Sequence, residues 1–306
     1  GFHFLERKEI LTFEEISRTA RVFAGLGLHK IRLTGGEPLL RRDIARLIGM
    51  LGEIPELDMA LTTNGVLLPE LAPELKAAGL GRVTVSLDAL DPEIFRQMGD
   101  TEIGPESVLR GIEAASAAGL RPLKINAVIK RGMNESEILP LAKFFKGSGH
   151  ILRFIEYMDV GATNGWRMEE VVTAQEIMAE IHSELPIERV PPTYMGEVAE
   201  RWRYLDGDGE IGIVASVTRP FCGNCTRARL SAEGKLYTCL FATDGHDLRQ
   251  QLRGGSGDES LARFITGIWR GRSDRYSELR RAATASSEDA ALAETGTRIE
   301  MSYIGG

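Results

Sequence analysis

The sequence predicts an α/β fold built on a parallel sheet that curls into a full or partial barrel. Three observations predict it. Short β-branched runs alternate with amphipathic helical stretches up to about residue 160. The runs end in polar residues. Past 160 the alternation gives way to loops and hairpins.

Thr12-Phe13-Glu14-Glu15 reads as a capping box, and Ile16, Ala20, Phe23 and Leu26 continue it as the apolar face of a helix. The first strand is "KIRL", turning at "TGGEP". "DMALTTNG", "RVTVSLDA", "LKINAVIK" and "ILRFIEYMD" repeat the pattern, separated by helical stretches such as "PELAPELKAAG", "ESVLRGIEAASAAG" and "SEILPLAKFFKG". The strands run out into Thr34 to Glu37, Thr62 to Asn64, Ser86 to Asp88, Asn126, and Glu156 to Asp159. Any one of these ends can be turn or cap chemistry. In a parallel barrel they gather at one mouth, where active sites lie.

After residue 160, "GATNGW" and "PPTYMGE" read as loops, and "AERWRYLDGDGEIGIVAS" as antiparallel strands around a Gly/Asp turn. "TRARLSAEGKLYTCLF" is a further hairpin turning near Glu233 and Gly234. A helical region from about 258 and a Ser/Ala/Glu-rich segment at 284–296 lead to "MSYIGG". Two parts are therefore expected: a barrel core over 1–160 and a C-terminal part over 161–306.

The 306 residues are 43% hydrophobic with a formal net charge of −7, the balance of an ordinary folded protein. That charge argues against nonspecific nucleic-acid binding, so an anionic ligand needs a local basic pocket. No membrane span and no leader are read from the sequence, and a cytoplasmic protein is expected. The first residue is Gly1, so a missing N-terminal piece is expected as well.

All three cysteines fall in "FCGNCTRARLSAEGKLYTCLF", spaced C-x2-C-x13-C. An odd cluster of this kind argues for a metal or redox site rather than a disulfide framework. Cys222 and Cys225 share a tight turn and Cys239 returns from the far side of the hairpin. Zinc with His246 as fourth ligand is one reading. An iron–sulfur cluster with three cysteine ligands and one open iron is the other. Arg227 and Arg229, two apart on one predicted strand, form either a solvated stripe or a grip for phosphate or carboxylate.

"KIRLTGGEPLLRRD", "LTTNG", "VSLDA", "RFIEYMDVG", the arginine-bearing cysteine motif and the terminal "YIGG" together resemble the GTP 3′,8-cyclases of molybdenum-cofactor biosynthesis, a radical S-adenosylmethionine family. The resemblance spans the whole chain. It implies a partial (β/α) barrel of the radical S-adenosylmethionine type with a C-terminal antiparallel extension that carries a three-cysteine cluster site. It also implies conversion of GTP to 3′,8-cyclo-7,8-dihydroguanosine triphosphate. The family carries a C-x3-C-x2-C loop for a first [4Fe-4S] cluster, together with a first strand and an arginine contacting substrate, just before the region equivalent to Gly1. Without them the chain as given is expected to be inactive, and the expected function is that of the full-length protein.

Residue by residue, the resemblance implies that Gly36, Glu37, Ser86 and Met158 bind S-adenosylmethionine. It implies that Arg32, Thr62, Lys124, Arg227 and Arg229 bind GTP, with Lys30 and Arg153 in support. Cys222, Cys225 and Cys239 would hold a second [4Fe-4S] cluster whose open iron takes the guanine. The next enzyme, cyclic pyranopterin monophosphate synthase, would accept the product, and the chain would admit a homodimer. Two other readings stay open: a radical enzyme acting on peptides, expected to carry more cysteines, and a noncatalytic zinc scaffold.

Overall fold

The structure, a computed structural model, describes residues 8–160, 165–194, 196–219, 222–223, 225–274, 276, 299 and 303. The expected Ser/Ala/Glu-rich segment and nearly all of the glycine tail lie outside these residues.

The helices are α1 (Phe13–Gly25), α2 (Ile44–Gly52), α3 (Leu68–Ala77), α4 (Pro92–Gly99), α5 (Pro105–Ala117), α6 (Ile138–Phe145), α7 (Ala174–Glu184), α8 (Leu248–Arg253) and α9 (Asp258–Arg270). The strands of the main sheet are β1 (Lys30–Leu33), β2 (Asp58–Thr63), β3 (Arg82–Ser86), β4 (Lys124–Ile129), β5 (Ile151–Glu156), β6 (Ile187–Val190), β7 (Glu200–Tyr204) and β8 (Glu210–Val214). A small second sheet contains β9 (Arg229–Leu230), β10 (Lys235–Tyr237) and β11 (His246–Asp247). No helix among the described residues is long and apolar enough to cross a membrane.

Local chemistry sets the ends of these elements. The expected capping box at α1 is present: Thr12 Oγ1 accepts from Glu15 N at 3.1 Å, and Thr12 N donates to the Glu15 carboxylate at 2.8 Å. Thr173 and Glu176 repeat the device at α7. Gly65 has φ +83°, and Val85 would lie 2.9 Å from a Cβ there, so the turn into α3 requires glycine.

The main sheet runs β1-β2-β3-β4-β5-β8-β7-β6. The expected five parallel strands are there, but a sixth joins them. β8 pairs parallel with β5, Leu152 opposite Ile211, as well as antiparallel with β7. The hairpin read from sequence as an antiparallel pair thus extends the parallel sheet across residue 160. β6 then adds antiparallel to β7.

Along β2 to β5 the residues Met59, Leu61, Val83, Val85, Ile125, Ala127, Leu152 and Phe154 are fully buried, forming with the helices one core. The alternate residues face the other way, and many of them are charged. A second apolar cluster, from Leu11, Val22, Leu236, Leu248, Leu252, Leu261 and Ile265, packs the small sheet, α8 and α9 against α1. The hairpin turn at Glu233 and Gly234 falls where expected, with Leu236 opposite Leu230.

Candidate active site

Period-two alternation places Lys30 and Arg32 of β1, Asp58 and Thr62 of β2, Arg82 and Thr84 of β3, Lys124 and Asn126 of β4 and Arg153 of β5 on the face turned away from the helices. Register aligns them in rows. Arg32 lies opposite Ala60, which lies opposite Arg82; Thr62, Thr84 and Lys124 form the next row; Ser86, Asn126 and Arg153 form a third.

The arginines are fixed by neutral oxygens. Arg32 Nη1 donates to Thr62 Oγ1 at 2.8 Å and to Thr84 Oγ1 at 3.0 Å, and Arg153 Nε donates to Asn126 Oδ1 at 3.0 Å. Burial, followed by the charges of Arg82, Arg32 and Arg153, pulls Lys30 down to about 8. Burial, followed by Arg153, Lys30, Arg82 and Arg32, does the same to Lys124, also to about 8. Burial and then the Arg32 charge lower Arg153 to about 10. A flat sheet would hold β1 and β5 roughly 19 Å apart. The charge of Arg32 nonetheless bears on Arg153.

Two acids answer this charge. Asp58 pairs with Arg82 and lies 3.7 Å from Lys30. Glu197, in the segment between β6 and β7, bears on Lys30 and Arg153, and Tyr194 of that segment bears on Arg32 and Arg153. The face remains strongly cationic and suits a polyanion.

The residues expected to hold S-adenosylmethionine stand at the carboxyl ends of the strands. Gly36 and Ser86 are exposed there, and Met158 follows the end of β5. Glu37 has a structural role: its carboxylate accepts from Leu39 N at 2.9 Å, Thr63 Oγ1 at 2.7 Å and Asn64 N at 2.7 Å, tying the "GGE" turn to β2. The cationic residues lie deeper. Lys30 and Lys124 are the first residues of their strands, at the end of the face opposite the strands' carboxyl ends.

The cysteine arm is held to the carboxyl end of β5 at two places. Glu156, fully buried at the end of β5, accepts from Ala174 N at 2.7 Å, Val217 N at 2.7 Å, Thr218 N at 2.8 Å and Thr218 Oγ1 at 2.6 Å. The Tyr276 hydroxyl donates to Asp159 at 2.6 Å, and its ring packs 4.6 Å from that of Phe241, two residues past Cys239. The segment carrying Met158 is thereby joined to the one carrying the thiols.

Within the arm, Cys225 N donates to Cys222 O at 3.1 Å, closing the predicted tight turn. Arg227 Nε and Nη2 each lie 3.4 Å from Cys225 Sγ, and Phe241 N donates to Cys239 Sγ at 3.4 Å. Burial alone would raise the Cys225 thiol, but the backbone and guanidinium of Arg227 outweigh it and the net shift is downward. Burial raises Cys239, and Asp274 and Cys222 push in the same direction. Only Arg229 of the two arginines belongs to a strand; Arg227 precedes β9, so the two do not share the one strand expected of them. Arg229 carries the charge influence of both Cys225 and Cys239. His246 is exposed on β11. Among the described residues no group of three or more His, Cys, Asp or Glu side chains is placed to hold a metal ion.

Arg82, Thr84, Asp58, Glu197 and Arg272 were not singled out from the sequence. Arg82 and Asp58 were within reach, since alternation puts them on the face of Lys30 and Arg32. Arg272, which donates to Cys225 O and packs 4.5 Å over the Trp269 ring, carries no local signal.

A family model described as Radical SAM superfamily matches residues 2–145, and one described as Molybdenum Cofactor Synthesis C matches residues 150–278. The structure of SuiB from Streptococcus suis bound to S-adenosylmethionine aligns over 81% of this chain and 59% of its own, with a TM-score of 0.58 at 14% identity, a likeness of fold. The class is therefore a radical S-adenosylmethionine α/β protein with a parallel-dominated sheet. GTP 3′,8-cyclase of Acidothermus cellulolyticus is 54% identical, covering 100% of this chain and 89% of the relative. Those of Xanthomonas axonopodis pv. citri and Staphylococcus aureus are 48% and 44% identical, each covering 100% of this chain and 88% of the relative. The chain belongs to the GTP 3′,8-cyclase family.

Proposed function

We propose that this protein converts GTP to 3′,8-cyclo-7,8-dihydroguanosine 5′-triphosphate by S-adenosylmethionine radical chemistry, the first step of molybdenum-cofactor biosynthesis. The observation that carries the reading is the set of Lys30, Arg32, Arg82, Lys124 and Arg153 on one face, three of which burial first and then the neighbouring cations draw down, with Asp58 the one carboxylate paired to them among the described residues. A triphosphate supplies the missing negative charge.

Gly36, Glu37, Ser86 and Met158 would hold S-adenosylmethionine at the strand ends, with Glu37 acting by fixing the backbone of its turn. Arg32, Thr62 and Lys124, supported by Lys30 and Arg153, would grip the phosphates. The three thiols would hold a [4Fe-4S] cluster, and two of them, Cys225 and Cys239, already have N–H groups directed at their sulfurs, as thiolate ligands do. When bound, S-adenosylmethionine and a second, reducing cluster of the full-length protein supply a radical able to take a ribose hydrogen. The chain's own work is placement: the sheet face fixes the phosphates, and Arg227 and Arg229 orient the nucleotide at the cysteine arm. The ties through Glu156 and Asp159 keep the two ends in register.

In this reading residues 1–160 form the radical core and 161–306 the cluster and substrate part, sharing one sheet. The product passes to cyclic pyranopterin monophosphate synthase, and a homodimer is compatible. A cytoplasmic location accompanies it, since such thiolates need a reducing compartment. Calorimetry with Arg32→Ala and Lys124→Ala tests the substrate assignment. Each is expected to weaken GTP binding by roughly ten- to a hundredfold, and unchanged affinity in both would remove GTP from this face.

A further inference from the structure

Asp58 occupies an unusual position. It is the first residue of β2, it lies on the face that carries Lys30, Arg32, Arg82, Lys124 and Arg153, and it is shared between Arg82 and Lys30. Arg82 sits at the centre of the same set: its charge bears on Lys30, Arg32 and Lys124. Across the sheet only the methyl of Ala60 separates it from Arg32. Arg32 and Arg153 are tied to neutral hydroxyl and amide oxygens, which fix their direction without cancelling their charge. Arg82 alone of the three is tied to a carboxylate.

We propose that Arg82 is a further phosphate-binding residue of the nucleotide site, and that Asp58 sets the site's affinity by competing with phosphate for Arg82 and Lys30. This rests on the reading that GTP binds this face.

The physical case is one of exchange. The side chains of Arg82 and Asp58 are 32% and 43% exposed, so their pair is wetted and contributes little on its own. A guanidinium fork fits a phosphate as well as a carboxylate, and a triphosphate brings several negative charges within reach of every cation on the face. Arg82 can therefore leave Asp58 for a phosphate oxygen at small cost. Without ligand, Asp58 relieves repulsion among five crowded cations. With ligand, it is a like charge near the phosphates and opposes binding. A purely structural pair would behave differently, since its loss would alter stability and leave ligand affinity alone.

The test uses full-length protein, reconstituted anaerobically, with GTP and inorganic tripolyphosphate as titrants in calorimetry. Melting and far-ultraviolet dichroism serve as folding controls. Arg82→Gln is expected to weaken both ligands by roughly tenfold, with Arg82→Lys recovering part of the loss. Asp58→Asn is expected to tighten both by roughly three- to tenfold while lowering the melting temperature. Weaker or unchanged binding in Asp58→Asn, or unchanged binding in Arg82→Gln, would overturn the proposal. Arg32→Gln and Lys124→Gln run alongside. If they weaken binding while the Arg82 and Asp58 variants do not, this inference alone fails; if they too leave it unchanged, the placement of GTP fails with it.

Discussion

Glu156 and Thr218 are joined twice: one carboxylate oxygen of Glu156 accepts from the Thr218 backbone N–H at 2.8 Å, and the other from its hydroxyl at 2.6 Å. A fully buried acid at the end of β5 thereby anchors the segment that leads to the cysteines four residues later. The same carboxylate also caps α7 through Ala174 N. Its charge is spread over four donors, which compensates for its removal from water.

Glu156→Ala leaves two buried backbone N–H groups, of Ala174 and Val217, and the half-buried one of Thr218 without an acceptor, each buried one worth about 1–3 kcal/mol, so the variant is expected to lose at least about 2 kcal/mol. Thr218→Val removes only the hydroxyl bond and is expected to lose about 1 kcal/mol. Urea unfolding measures both. A Glu156→Ala midpoint equal to that of the parent would show that the anchor is dispensable.

GTP binding should depend on pH through Lys30 and Lys124, both drawn down to about 8 by burial and the neighbouring arginines. Arg32, Arg82, Arg153, Asp58, Tyr194 and Glu197 face the same space. The folded chain disfavours the protonated lysines and the phosphates favour them, so binding takes up protons. Affinity is therefore highest below about pH 8 and falls as pH rises toward 10, by up to about tenfold per unit for each lysine involved. The ligand-free protein shows the opposite trend: its unfolded lysines hold more protons between those pH values, so stability contributed by these groups rises with pH. Binding isotherms between pH 7 and 10 decide this, and a flat profile would place both lysines outside the site.

The two arm arginines should separate. Arg229→Ala is expected to weaken GTP binding by roughly ten- to a hundredfold with iron content retained. Arg227 also donates to Cys225 Sγ, so Arg227→Ala should reduce iron retention as well. Iron and sulfide analysis beside calorimetry reads out both effects. Equal iron in the two variants would make the Arg227 contact with sulfur incidental.

Cys222→Ala, Cys225→Ala and Cys239→Ala should each abolish the cluster of the arm. Visible absorbance and iron per chain after anaerobic reconstitution measure it. Full absorbance in Cys239→Ala would remove Cys239 from the ligand set.

Much of this architecture is local, and so legible. The capping box at Thr12, the five alternating strands and the turn at Glu233 and Gly234 depend on residues a few positions apart. The pairing of β8 with β5 was not legible, because Ile211 meets Leu152 across the chain and nothing within the hairpin shows which strand will accept its free edge. Glu156 was visible only as a polar strand end; its partners lie 18, 61 and 62 residues away. The box at Thr173 and Glu176 was a readable signal for α7 that the broken rhythm past residue 160 obscured. Arg82 and Asp58 could have been found by extending the alternation through Lys30 and Arg32, whereas their pairing required the sheet register.

Hydrogen abstraction from the ribose of a GTP held by the cationic face is the step on which the proposed function turns. The most direct test supplies the full-length protein anaerobically with reductant, S-adenosylmethionine and GTP deuterated at ribose C3′, and follows the label by mass spectrometry. Deuterium is expected in 5′-deoxyadenosine while the nucleotide is converted to a chromatographically distinct isomer of GTP, and Arg32→Ala with Lys124→Ala is expected to lower both greatly. Release of unlabelled 5′-deoxyadenosine with the GTP recovered intact and fully deuterated would contradict it.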